Sequence, residues 1–160
     1  MATLFVMCGA PGSGKSTWAN KFRQDRLKMV YVSRDAIRLS IITDDEHYFS
    51  HEDEVYEKFV DVIADNLRAG VDTIADATHL SHGARAKLYN ALAARGMTSD
   101  KYDIIFVQMG TPVEECIIRD NAREGRYHVT ASVVRRMYSQ NTKPTMDEFP
   151  NVKGVWIIDA

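Results

Sequence analysis

The chain has 160 residues, 45% of them hydrophobic and 26% charged, enough for one folded domain over residues 1–160 without disulfides or structural metals. Its formal net charge of −2 excludes a protein that coats nucleic acid by charge alone, although twelve arginines leave room for a local basic groove. No apolar run reaches bilayer length, no signal-like start is visible, and Cys8 and Cys116 lack a paired-ligand spacing, so a cytoplasmic setting without a membrane partner is expected.

In chain order, Thr3–Cys8 reads as a buried strand and Lys15–Arg26 as the helix after it. Cys8 belongs to the apolar run and reads as a small buried hydrophobe. Between strand and helix lies Gly9-Ala10-Pro11-Gly12-Ser13-Gly14-Lys15-Ser16-Thr17. Its glycines allow a tight turn in which successive N–H groups point inward at phosphate oxygens. Lys15 is placed to reach β- and γ-phosphates, and the Ser16 hydroxyl to bind Mg²⁺. A nucleoside triphosphate, ATP or GTP, with Mg²⁺ as the metal is therefore expected at Gly12, Ser13, Gly14, Lys15, Ser16 and Thr17.

Met29–Ser33 reads as a second strand, running into a short helical stretch over Asp35–Ile42. Asp35 and Arg38, three apart at the carboxyl end of that strand, suit a base and a substrate-positioning cation. They suit a helix cap and a solvated charge equally. His47 and His51 stand among acidic residues with no complete ligand set, which reads as a solvated loop or helix start. Glu52–Ala69 is a helix by its apolar spacing, closed at Gly70. Asp72–Ala77 is a strand ending at Asp76, where a carboxylate would orient Mg²⁺ or hold structure. Thr78 and His79 follow as candidates to line an acceptor pocket.

Ser81 can cap a helix running to Arg95, Asp103–Met109 reads as a strand, and Pro112 opens a helix through about Arg123. Arg119 and Arg123 lie four apart on one helical face, and Arg126 follows in a connecting segment; together they read as a lid that neutralises charge during transfer. Thr130–Asn141 is a further helix, carrying Arg135 and Arg136, and Val155–Asp159 the last strand. Five apolar strands alternating with helices predict an α/β P-loop NTPase/kinase fold: a five-stranded parallel sheet, helices on both faces and a mobile arginine lid.

Taken together, Gly12-Ser13-Gly14-Lys15-Ser16-Thr17-Trp18-Ala19, Ser33-Arg34-Asp35 with Arg38, Asp76-Ala77-Thr78, Arg119 with Arg123, and Val134-Arg135-Arg136-Met137-Tyr138 resemble the 5′-hydroxyl polynucleotide kinases of phage and bacterial end-healing enzymes. The resemblance implies transfer of the γ-phosphate of a nucleoside triphosphate to the 5′-OH of DNA or RNA. It implies Lys15 and Ser16 as the phosphate and metal pair, Asp35 as general base, Arg38 as acceptor-phosphate contact, and Arg119, Arg123 and Arg126 as lid arginines. Two features depart from the family: His79 stands where similar kinases commonly have asparagine, and no DxDGT phosphatase motif occurs in these residues. A small-molecule kinase of the same fold, acting on a nucleoside, sugar or antibiotic, is the alternative. A nucleotide-dependent switch is a third reading, and the Asp35–Arg38 pair weighs against it.

Overall fold

The apolar runs become five parallel strands because each is flanked by helices that can cover it from either side. The structure, a computed structural model, describes residues 1–123, 125 and 129–159. Its elements are β1 (Ala2–Cys8), α1 (Lys15–Arg23), β2 (Val30–Ser33), α2 (Arg34–Ile41), α3 (Glu52–Arg68), β3 (Thr73–Asp76), α4 (His82–Ala94), β4 (Tyr102–Met109), α5 (Val113–Asn121), α6 (Ala131–Ser139) and β5 (Val152–Ile158). The sheet order is β2-β3-β1-β4-β5, and every pairing is parallel. The expected α/β fold with a five-stranded parallel sheet is thus the observed one.

Strand β1 lies at the centre, paired with β3 on one side and β4 on the other. Its alternating side chains feed two cores. Leu4, Val6 and Cys8 pack with Phe59, Ile63, Leu88 and Leu92 of α3 and α4. Phe5 and Met7 face the other way, joining Ala19, Ile74 and Val107 beneath α1. Rings of Phe5, Trp18, Phe22 and Trp156 pack within 4.6–6.4 Å of one another, fastening α1 to β5.

Element limits differ from the expected ones at a few ends. Helix α1 stops at Arg23, because the next residues turn more tightly, with Arg26 N–H donating to Arg23 O at 2.9 Å. Strand β5 begins at Val152, three residues before the apolar run; Lys153 is exposed at the sheet edge and Gly154 carries no side chain, so neither signals a strand. No helix among the described residues is long and apolar enough to cross a membrane.

Candidate active site

The carboxyl ends of the strands gather the expected residues along one rim, as open parallel sheets do. The turn after β1 holds its shape through neighbours distant in sequence. Gly9 N–H donates to Thr78 O at 2.8 Å, and Thr111 Oγ1 donates to Ser13 O at 2.7 Å. Gly12 has φ +80°, and a Cβ there would fall 2.3 Å from the Cys116 carbonyl oxygen, so α5 can approach the turn only because that residue is glycine. Gly14, at φ +94°, caps α1 and lies against the Arg119 guanidinium.

Lys15 opens α1, and its Nζ donates to Ala10 O at 3.0 Å. Burial lowers the pKa of this ammonium, opposed by the nearby charges of Asp76 and Asp35. Ser16 Oγ donates to Asp76 Oδ2 at 2.8 Å, and the Tyr31 hydroxyl donates to the same oxygen. Burial, and then the charge of Asp76, push the Tyr31 phenol above its ordinary range, keeping it a donor. A hydroxyl and one carboxylate side by side suit Mg²⁺, which takes few protein ligands and completes its shell with substrate phosphates and water.

Asp35 and Arg38 stand across the cleft from Lys15 on the first turns of α2, which Ser33 caps by accepting from Ala36 N–H at 3.1 Å. Asp35 is half exposed, its side chain at 54%, whereas the Arg38 side chain is 6% exposed. Arg38 Nη1 donates to Asp35 Oδ1 and, at 3.2 Å, to Tyr48 Oη. Its Nε and Nη2 grip Glu52 at 2.8 and 2.6 Å. Burial alone would lower the Arg38 pKa; the hydrogen bonds and charge interactions with Glu52 and Tyr48 together outweigh it and hold the group firmly charged. The Tyr48 and Phe49 rings lie 4.6 and 5.2 Å from the guanidinium carbon. Glu52 is the residue that sequence reasoning passed over: as part of an acidic run it looks solvated, and only the packing of α3 on α2 reveals its two arginines, Arg34 and Arg38.

These residues border a cleft of about 320 Å³, whose walls include Gly12, Lys15, Asp35, Arg38, Asp76 and Thr78. A second, more open cleft of about 530 Å³ adjoins it over the phosphate turn, bounded by Trp18, Lys21, Met109, Arg119, Ile158 and Asp159. Gly12, Gly14, Thr17 and Arg123 border both. Arg119 and Arg123 therefore meet on the outer cleft, and Arg123, beyond the last residue of α5, also reaches the inner one where the two clefts meet. Arg126 lies outside the described residues. Ser13 is buried beneath the turn and meets the outer cleft.

His79 is a correction. It is 5% exposed, is absent from the walls of both clefts, donates from Nδ1 to Met7 O at 2.8 Å and stacks on Phe59. Its backbone φ of +43° turns the imidazole inward, while Thr78 keeps its place on the cleft wall.

Comparison with known proteins agrees with this architecture. The sequence model of the family described as AAA domain matches residues 4–144. Among solved structures, a chain of the Pnkp1/Rnl/Hen1 RNA repair complex is 27% identical with a TM-score of 0.68, covering 87% of this chain and 43% of that one. The chain thus spans about two fifths of the length of such repair-complex chains, 43% of this one and 38% of another. A fungal RNA kinase shares the fold at 13% identity and a TM-score of 0.65, covering 98% of this chain and 74% of that one. So does a sugar kinase from Janibacter at 20% identity and the same TM-score of 0.65, covering 99% and 85%. No curated protein matches the sequence.

Proposed function

Because the chain belongs to the AAA domain family and has the fold of a P-loop kinase, we propose that it is a polynucleotide 5′-hydroxyl kinase, transferring the γ-phosphate of ATP or another nucleoside triphosphate to the 5′-OH end of DNA or RNA. One juxtaposition carries this reading. The exposed carboxylate of Asp35 borders the same cleft as Lys15 and Ser16, between two arginines and two aromatic rings. Arginines suit phosphate and aromatic rings suit bases, whereas a sugar pocket calls for neutral donors and acceptors matched to ring hydroxyls. The 27% identity to a chain of an RNA repair complex supports the same choice.

In this reading, the loop amides, Lys15 and the N-terminal end of α1 bind the β- and γ-phosphates. Asp35 accepts the proton of the acceptor hydroxyl as its oxygen bonds to the γ-phosphorus. The bond from that phosphorus to the β–γ bridging oxygen breaks, and the nucleoside diphosphate leaves with the electron pair. Arg123, where the clefts meet, offsets charge on the transferred group, and Arg119 flanks the nucleoside side. Ser16 and Asp76 would hold Mg²⁺, which when bound neutralises phosphate charge. Thr78 lines the acceptor side, and Arg38 braces it.

The test is γ-labelled ATP and Mg²⁺ with a panel of 5′-OH oligonucleotides, nucleosides, sugars and antibiotics. Oligonucleotides are expected to take label, and Asp35→Asn to slow transfer by about 10²–10⁴-fold. Label on a small molecule with none on any oligonucleotide would make the protein a small-molecule kinase. Unimpaired Asp35→Asn would remove Asp35 from the base role.

A further inference from the structure

Asp35 stands half exposed on the first turn of α2, where a carboxylate left to itself turns freely between rotamers. Here its two oxygens are treated differently. Oδ1 accepts from Arg38 Nη1 and, at 3.0 Å, from the Tyr48 hydroxyl, whereas no donor among the described residues reaches Oδ2. Tyr48 comes from thirteen residues away, on the 42–51 connection, which ties itself into shape. Thr43 N–H donates to Glu46 Oε1 at 2.9 Å, Ser50 N–H donates to His47 O at 3.0 Å, and His51 bonds Glu46. The Tyr48 ring lies 4.6 Å from the Arg38 guanidinium carbon and meets Phe49 edge-on at 4.9 Å. Half-buried there, its hydroxyl accepts from Arg38 Nη1 at 3.2 Å while it donates to Asp35. Burial, and then the charge of Asp35, push this phenol up to about 12, so it keeps its proton at neutral pH.

The other donor to Oδ1 is not reserved for Asp35. A guanidinium on the cleft wall is open to any anion the acceptor brings, and a bond given to that anion can be withdrawn from the carboxylate. Tyr48 carries no charge and has one proton to give, so it stays with Asp35 in a competition that Arg38 can leave. With Oδ1 held in this way, Oδ2 is the oxygen left to receive a proton.

We infer that Tyr48 is a positioning residue: its hydroxyl locks Asp35 through Oδ1, so that Oδ2 takes the acceptor proton as the acceptor oxygen bonds to the γ-phosphorus. That proton passes from the acceptor to Asp35, and the proton of Tyr48 stays on the phenol. The inference rests on the reading of Asp35 as base and deepens it, and it holds for any alcohol acceptor.

The experiment follows single-turnover transfer from γ-labelled ATP to a 5′-OH oligonucleotide, with ATP and Mg²⁺ saturating and the acceptor varied. It compares the wild type with Tyr48→Phe, Asp35→Asn and the double variant. Phenylalanine keeps the ring beside Arg38 and removes only the hydroxyl. Tyr48→Phe should lower the maximal rate about 10-fold and leave the half-saturating acceptor concentration unchanged. In the Asp35→Asn background the same substitution should change the rate by less than about twofold, since a group that acts through the base has nothing left to position. A full maximal rate for Tyr48→Phe beside an impaired Asp35→Asn would overturn the inference and leave the base in place. A higher half-saturating concentration at an intact rate would overturn it by making Tyr48 a wall of the acceptor pocket. Equal losses in both backgrounds would overturn it in favour of a structural role. An unimpaired Asp35→Asn would remove the base, and the task of Tyr48 with it. Label on a sugar and on no oligonucleotide would remove the polynucleotide reading alone, and the same variants assayed with that sugar then decide the role of Tyr48 by the same outcomes.

Discussion

At His79 a positive φ, a carbonyl acceptor on Met7 and the face of Phe59 together bury an imidazole. Burial lowers its pKa to about 4, with the bond to Met7 O opposing the shift. The unfolded chain binds that proton near 6.5, the folded protein only near 4. The stability is therefore fully present above pH 6.5 and declines as pH falls from there toward 4. Urea titrations should show the wild type losing about 3 kcal/mol more than His79→Asn between pH 7 and pH 4. Asparagine tolerates the left-handed backbone and carries no titrating proton. Sequence position alone placed His79 with Thr78 in the acceptor pocket; the one dihedral that separates them is not written in residue type. Cys8 is the simpler case. It is fully buried, burial pushes its thiol up to about 12, and its place in an apolar run already foretold this.

The start of α2 concentrates much of the proposed chemistry in one turn. Arg34, Asp35 and Arg38 all descend from the cap at Ser33. Ser33→Ala should cost about 1 kcal/mol in denaturation experiments. If that turn serves the acceptor, the same variant should raise the acceptor KM and leave the ATP KM near its original value. The phosphate turn was legible from sequence because its requirements are local: glycines at two left-handed positions, an apolar strand before and a helix after. The Arg38–Glu52 clamp was not. Its partners stand fourteen residues apart across the 42–51 connection, and their meeting depends on how α3 packs on α2. Arg119 and Arg123 were read as one helical face, but α5 ends at Asn121, so helical spacing no longer governs Arg123.

For the molecule as a whole, the two clefts lie on either side of one turn, so a nucleotide bound there would bridge elements from both halves of the sheet. A non-hydrolysable ATP analogue with Mg²⁺, at one hundred times its Kd, should raise unfolding free energy by about 2.7 kcal/mol, read by denaturation with and without ligand. Strand count and helix alternation were readable from composition runs, because a parallel sheet buried on both faces leaves near-continuous apolar segments. The strand order was not, since β1 pairs with partners about 70 and 100 residues away, such as Leu4 with Thr73 and with Ile104. That central position has a consequence for how the protein comes into being. The central strand waits unpaired for β3 and then β4, and the turn that grips phosphate has no fixed walls until Thr78 and Thr111 arrive. Nascent chains shorter than about 110 residues should therefore be blind to nucleotide, and an early apolar strand left waiting is where a chaperone would be most needed.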